Sequence, residues 1–248
     1  MKKVKILYLL VVLAMLLALC GCGKKAEENV PAEVPGDKAP EAPAVAGGWT
    51  LPEDFASNDV PEKAREAFDK AVEGLTGNNL EPLALLGTQV VAGTNYSILC
   101  KSTLVTARPV ISYKVAVVYA DLEGGATLLN IADINIPDLT EQLDAPAPED
   151  LAGGWTLNEG LSRVGLPEGA ETAFNKASEG LLGVSYVPVA YLGSQVVAGS
   201  NYAVLCKATP ATADARAYLT AAVIYADLEG GATFTSFHYI NIADFNKK

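Results

Sequence analysis

The chain states one unit twice. Gly47-Gly48-Trp49-Thr50-Leu51 returns as Gly153-Gly154-Trp155-Thr156-Leu157, and Gln89-Val90-Val91-Ala92-Gly93 returns as Gln195-Val196-Val197-Ala198-Gly199. Tyr119–Gly125 returns as Tyr225–Gly231. All three pairs are 106 residues apart, so no gap intervenes. Whatever one copy folds into, the other must fold into as well. After the third pair the register is expected to slip, because Ile131-Ala132-Asp133 reads against Ile242-Ala243-Asp244. That places extra residues within Thr233 to Ile240. The copies span 47–136 and 153–248, and the Pro- and acid-rich stretch 137–152 reads as a linker. About 90 residues per copy suffices for a modest independent core.

Within a copy the pattern is mixed. A short strand follows the double glycine. Pro61 or Pro167 opens a helix. Ala64, Phe68, Ala71 and Leu75 recur at helical spacing, as do Ala170, Phe174, Ala177 and Leu181. Gly77 or Gly183 is expected to end that helix. A strand leads into the Gln-Val-Val-Ala-Gly segment. Beyond it, Tyr96, Ile98 and Cys100 alternate with Asn95, Ser97 and Lys101, as on a strand. The apolar run Tyr113 to Ala120 (Tyr218 to Ala226) is a further strand, and Glu123-Gly124-Gly125 turns the chain into the last one. The expected order is β-α-β-β-β-β. The fold class is α+β: two tandem domains, each a single helix packed on an antiparallel sheet.

The N-terminus reads as an export segment. Lys2, Lys3 and Lys5 precede the apolar run Ile6–Leu19, which is too short for a comfortable membrane span. Leu19-Cys20-Gly21-Cys22 follows and resembles a bacterial lipobox, with Leu19 at −3 and Gly21 at −1 of Cys22. The resemblance implies that 1–21 is a lipoprotein signal peptide, that Cys22 is lipidated, and that the protein is extracytoplasmic and held on a membrane face by acyl chains. Residues 22–46 are rich in Pro, Ala, Glu and Lys, too poor in large apolar groups to offset their ordering entropy, and read as a tether.

Charge and composition exclude several functions. The net charge of −11 becomes −14 once the three signal lysines are gone. With no basic run after Lys25, nucleic acid and polybasic membrane binding are disfavoured. The lone histidine, His238, leaves no His-rich metal site and no duplicated Ser-His-Asp arrangement. Asp121/Glu123 and Asp227/Glu229 read as exposed turn charges rather than an acid–base pair. Glu62, Lys63, Arg65, Glu66, Asp69 and Lys70 read as a solvated helix face. Cys100 and Cys206 occupy equivalent places and read as buried free thiols.

A Gln-x-Val-x-Gly string between two strands, behind a helix and an N-terminal Gly-Gly and ahead of a second hairpin, resembles the cystatins, protein inhibitors of papain-like cysteine proteases. The resemblance covers both copies nearly end to end. It implies a three-part wedge in each. Gly47 and Gly153 match the N-terminal glycine, next to Gly48 and Gly154. Val45-Ala46 and Leu151-Ala152 would enter the non-primed subsites. Gln89, Val90, Val91, Ala92 and Gly93 match the first hairpin, as do Gln195, Val196, Val197, Ala198 and Gly199. Leu122, Glu123 and Gly124, with Leu228, Glu229 and Gly230, stand where the second hairpin belongs, without the Pro-Trp that many members carry there. Trp49 and Trp155 read as core or hinge packing.

Such residue types suit a wedge. Glycine lets the backbone pass close to a catalytic thiol. Valines are stiff at χ1 and lose little entropy on burial. A run of small apolar residues at a turn is unusual for a solvated loop and ordinary for a contact surface. The implied protein is not an enzyme. It is a reversible occluding inhibitor of papain-like proteases that uses no metal and no cofactor. The alternative is an extracellular binding or adhesion module on the same fold.

Overall fold

Pro61 and Pro167 stand immediately before helices α1 (Glu62–Val72) and α2 (Glu168–Ser178) in a computed structural model. Their fixed φ suits helix entry, and their missing N–H falls where no intrahelical acceptor exists. The model describes residues 47–53, 55, 60–107, 109–134, 154–158, 165–212 and 216–246. The signal segment, Cys22, the tether, Val45, Ala46, the linker, Leu151, Ala152 and Gly153 lie outside the described residues. Acidic Glu62 and Glu168 in the first turns and Lys70 and Lys176 in the last turns suit the helix dipoles. The helices are shorter than the sequence spacing implies. Leu75 and Leu181 lie beyond them, and Gly74 and Gly180, at φ of 80° and 77°, lead the chain away. Gly77 and Gly183 instead precede the first long strands.

The architecture is mixed α+β, with two antiparallel sheets. The first sheet comprises β1 (Asn78–Val91), β2 (Gly93–Leu104), β3 (Ile111–Ala120) and β4 (Ala126–Asp133), adjacent in that order. The second comprises β5 (Trp155–Leu157), β6 (Val184–Val197), β7 (Gly199–Pro210), β8 (Tyr218–Ala226) and β9 (Ala232–Ile240). A single bridge between Thr50 and Thr88 stands in the first copy where β5 pairs with β6 in the second. Bulges between Pro82 and Ala84 and between Leu85 and Gly87 recur at Pro188/Ala190 and Tyr191/Gly193. They accommodate a strand proline and bend the sheet.

Each sheet is covered on both faces. On one face, Ile98, Cys100, Ala116 and Val118 pack under Ala64, Ala67 and Phe68 of α1. Val204, Cys206, Ala222 and Ile224 pack under Ala173 and Phe174 of α2. The opposite faces meet. Leu86, Leu99 and Val115 of the first copy share one core with Leu192, Leu205, Leu219 and Ala221 of the second. Three polar contacts join the same layer. Tyr113 donates its hydroxyl hydrogen to the Asn158 carbonyl at 3.0 Å. Lys207 donates to the carbonyls of Pro52 and Glu53, with its ammonium 5.7 Å from the Phe55 ring centre. Asn130 donates to the Phe245 carbonyl at 2.7 Å. Each copy thus keeps a core of its own beneath its helix, and a third core, not expected from the sequence, is shared between the two sheets. Both copies belong to one compact unit, in the layer order helix, sheet, sheet, helix.

The expected slip in register does not occur. Leu128 pairs with Val118 and Phe234 with Ile224, each just past the same bulge, so the spacing of 106 holds through β4 and β9. Ile134 and Ile240, also 106 apart, both end in the shared core. Ile242-Ala243-Asp244 instead opens a 3-10 helix, Ile242–Asn246. His238 is an ordinary position of β9 opposite Ala221, in the place Ala132 holds in the first copy. Cys100 and Cys206 are buried free thiols under different helices. Burial pushes the Cys100 thiol far above its usual range.

Candidate functional site

Antiparallel pairing brings two turns of each sheet to one end. The β1–β2 turn lies at Ala92, with Val91 paired to Gly93 across it. The β3–β4 turn runs from Asp121 to Gly125, and the pair Thr94–Ala120 joins the two hairpins side by side. The N-terminal segment reaches the same end. Asn95 donates its amide to Gln89 Oε1 at 2.8 Å, and Gln89 Nε2 donates to the Gly47 carbonyl at 2.6 Å. Gly47 has φ of 82°, a conformation that favours glycine. Gly47, the Gln-Val-Val-Ala-Gly turn and the second hairpin thus share one rim of the first copy.

The rim is stiff. Tyr119 donates its hydroxyl hydrogen to the Ala92 carbonyl at 2.5 Å, tying the first turn to β3. Gly93 has φ of 130°, and a Cβ there would collide with the Ala120 carbonyl oxygen and the Tyr119 ring. Only glycine satisfies both demands. In the second turn, Asp121 Oδ1 accepts the N–H groups of Glu123 and Gly125 at 2.8 Å each, and Gly124 has φ of 90°. A type I turn closed by a left-handed glycine accounts for this geometry. Asp121 is thereby a turn-forming residue. Lys70 of α1 donates to the Gly124 carbonyl at 3.1 Å.

Apolar side chains stand uncovered on this rim, beside the exposed carboxylate of Glu123. Val90 is 74% exposed, Val91 43% and Leu122 87%. The second copy repeats the pattern: Val196 is 71% exposed, Val197 42% and Leu228 80%. Its supports repeat too. Asn201 donates to Gln195, Tyr225 donates to the Ala198 carbonyl at 2.6 Å, and Asp227 accepts from Glu229 and Gly231. Gly199 has φ of 125° against the Ala226 carbonyl. Trp49 and Trp155 are partly buried against the shared core.

Three supports were not singled out as site residues from the sequence: Asn95/Asn201, Tyr119/Tyr225 and Asp121/Asp227. Their signal was identity between the copies at positions that the core does not explain. Beside the rim, between α1 and the hairpins, lies a shallow cleft of about 200 Å³ lined by Lys63, Glu66, Lys70, Tyr96 and Asp121 among others. The charges of the helix face are solvent-exposed apart from half-buried Arg65. Among the described residues, no group of three or more His, Cys, Asp and Glu side chains is placed to hold a metal ion.

No protein-family model matches the chain, and it matches no curated protein.

Proposed function

We propose that the protein is a reversible inhibitor of papain-like cysteine proteases, exported and lipid-anchored through Cys22, whose rims plug the active-site cleft. One observation carries this reading. A glycine bend, a stiff turn with exposed Val90 and Val91, and a second hairpin tipped by exposed Leu122 stand together on one rim. A narrow, rigid, apolar edge suits a narrow groove. Each valine contributes about 1.5–3 kcal/mol if fully desolvated. Prior rigidity lowers the ordering cost of docking. Inhibition by occlusion requires no covalent bond, metal or cofactor.

A second reading is an extracellular adhesion or scaffolding module that uses the same rim. The second hairpin favours it: Asp121-Leu122-Glu123-Gly124 presents an aliphatic tip and a carboxylate, where Pro-Trp would present a large aromatic ring.

The test is a titration of the mature chain against a papain-type enzyme. Competitive inhibition at micromolar concentrations or tighter is expected. Val91→Asp carries an unpaired charge into a dry contact and should weaken the first rim by about 2–5 kcal/mol. The variant must be made in the whole chain, because a separated copy would expose half of the shared core. Absence of inhibition by the intact chain, with capture of a non-protease partner through the same rim, would establish the second reading instead.

A further inference from the structure

We infer that the chain is bivalent: its two rims lie at different ends of the molecule, so one chain holds two partner proteins at once. This rests on the rim-in-groove reading above and adds its stoichiometry.

The inference follows from which parts of the two sheets touch. Strand β9 starts beside the second copy's rim, where Ala232 pairs with Ala226, and runs away from it to Ile240. Ile242 and Phe245 lie further along, so at ~3.3 Å per residue Ile242 is roughly 30 Å of chain from that rim. Yet Ile242 packs against Gly87, its Cδ1 lying 3.1 Å from where a Gly87 Cβ would be. Gly87 is four residues before Val91, about 13 Å from the first copy's rim. Asn130, which bonds the Phe245 carbonyl, is likewise only four residues past Ala126, which pairs with Ala120 at that rim. The rim half of the first sheet therefore sits on the far end of the second.

The reciprocal contacts agree. Lys207 lies eight residues past Gly199, toward the far end of the second sheet, and bonds Pro52 and Glu53, just beyond the Thr50–Thr88 bridge of the first copy. Tyr113, seven residues before Ala120, bonds Asn158, whose own N–H donates to Leu192 next to β5. Had the rims stood side by side, residues at equal distances from their turns would meet. Instead a short distance on one sheet is matched with a long one on the other. The shared core lies between the two rims, and Val90, Val91, Leu122, Val196, Val197 and Leu228 stand outside it. Because the tip residues are the same in both copies, both ends present the same chemistry to the same class of partner.

The experiment measures complex mass in solution, by light scattering on a sizing column, for the mature chain with excess papain-type protease. Two proteases per chain are expected. Val91→Asp and Val197→Asp should each reduce this to one, and the double variant to none. A saturating one-to-one complex that still inhibits would overturn bivalency and leave the inhibitor reading standing. In that case, loss of binding in only one single variant would identify a single active rim. Retention of one protease by both single variants would mean the rims exclude each other. Absence of any complex would overturn both readings.

Discussion

The two copies differ at several buried positions beneath their helices and agree at the rim. Under α1, Leu80, Leu128 and Ile131 stand around Phe68. The equivalent positions under α2 are Tyr186, Phe234 and Phe237 around Phe174. Tyr186 stacks on Phe237 with centroids 4.8 Å apart, and Phe174 meets Phe234 edge-on at 5.7 Å. At the rim, by contrast, Gln-Val-Val-Ala-Gly and Asp-Leu-Glu-Gly-Gly are the same residues in both copies. A core accepts exchange so long as its volume is filled. A turn held by a tyrosine hydroxyl, an aspartate and a crowded glycine accepts little. That explains Tyr119, Asp121 and Gly93, but not Val90 or Leu122, whose side chains support nothing in the fold. Their repetition while exposed supports the proposed contact surface.

The sharpest way to break this comparison is to ask whether the copies are energetically separate at all. Leu99 and Leu205 are fully buried, one from each copy, in the layer between the sheets. Leu99→Ala and Leu205→Ala should each cost about 2–5 kcal/mol. Each should also destabilise both copies together. Trp49 and Trp155, partly buried against that layer, provide one fluorescence probe per copy in single-tryptophan variants. Coincident denaturation midpoints are expected for both probes in either alanine variant. Two separated transitions would restore independent copies.

A smaller effect sharpens the contrast between glycines at the rim. Gly93 and Gly124 both have positive φ, but Gly93 faces the Ala120 carbonyl while Gly124 faces open space. Gly93→Ala should therefore cost about 1–3 kcal/mol, as strain held in a crowded turn does. Gly124→Ala should cost only the ~1 kcal/mol of a left-handed alanine. Gly199→Ala should match Gly93→Ala, because Gly199 faces the Ala226 carbonyl in the same way. Equal midpoint shifts for Gly93→Ala and Gly124→Ala in urea titrations would show that crowding at the first turn is relieved at no cost.

Much of each copy was legible in the sequence, and the layer between the copies was not. Prolines before the helices, the Glu-Gly-Gly turn and the single apolar helix stripe are local signals, and they mark the observed elements. The alternation of Tyr96, Ile98 and Cys100 with polar Asn95, Ser97 and Lys101 points to a sheet packed on one helix. Ser97 is nonetheless fully buried, and Leu99 lies on the same side. A small polar residue at a sheet–sheet contact imitates a solvent face. The contrary signal was the unbroken run from Val115 to Val118, since a strand with one wet face does not bury four successive residues. The misplaced register has a similar origin. Ile131-Ala132-Asp133 matched Ile242-Ala243-Asp244 by a three-residue coincidence, while the ungapped match of Ile134-Asn135-Ile136 and Asp138 to Ile240-Asn241-Ile242 and Asp244 passed beneath it. The rim was legible in its tips, where glycine and valine are distinctive. Its supports were not, because a tyrosine or asparagine on a strand reads as packing until its partner is seen.

The smallest effect tests the asymmetry within the shared layer. Tyr113 stands where the second copy has Leu219, and it bridges to Asn158 in the other copy. Tyr113→Phe keeps the ring and removes one hydrogen bond, which should cost about 1 kcal/mol near neutral pH. Burial, with Tyr191 nearby, holds the Tyr113 hydroxyl well above its ordinary value. The folded protein therefore keeps this proton at pH values where the unfolded chain has released it. Tyr113 contributes its full stability below a pH of about 10 and loses it as pH rises toward the folded value, at up to ~1.4 kcal/mol per unit. The phenylalanine variant has no proton to retain. The gap between the two proteins should thus be widest near pH 8 and close above pH 10, and the curves cross if the wild type loses more than its hydrogen bond supplied. Buried Cys100 is common to both proteins and cancels from the difference. Urea midpoints at pH 8, 10 and 11 measure the gap directly. A gap that stays constant across that range would mean the Tyr113 hydroxyl reaches water in the folded state, and that the joint between the copies is looser at this corner than its hydrogen bond implies.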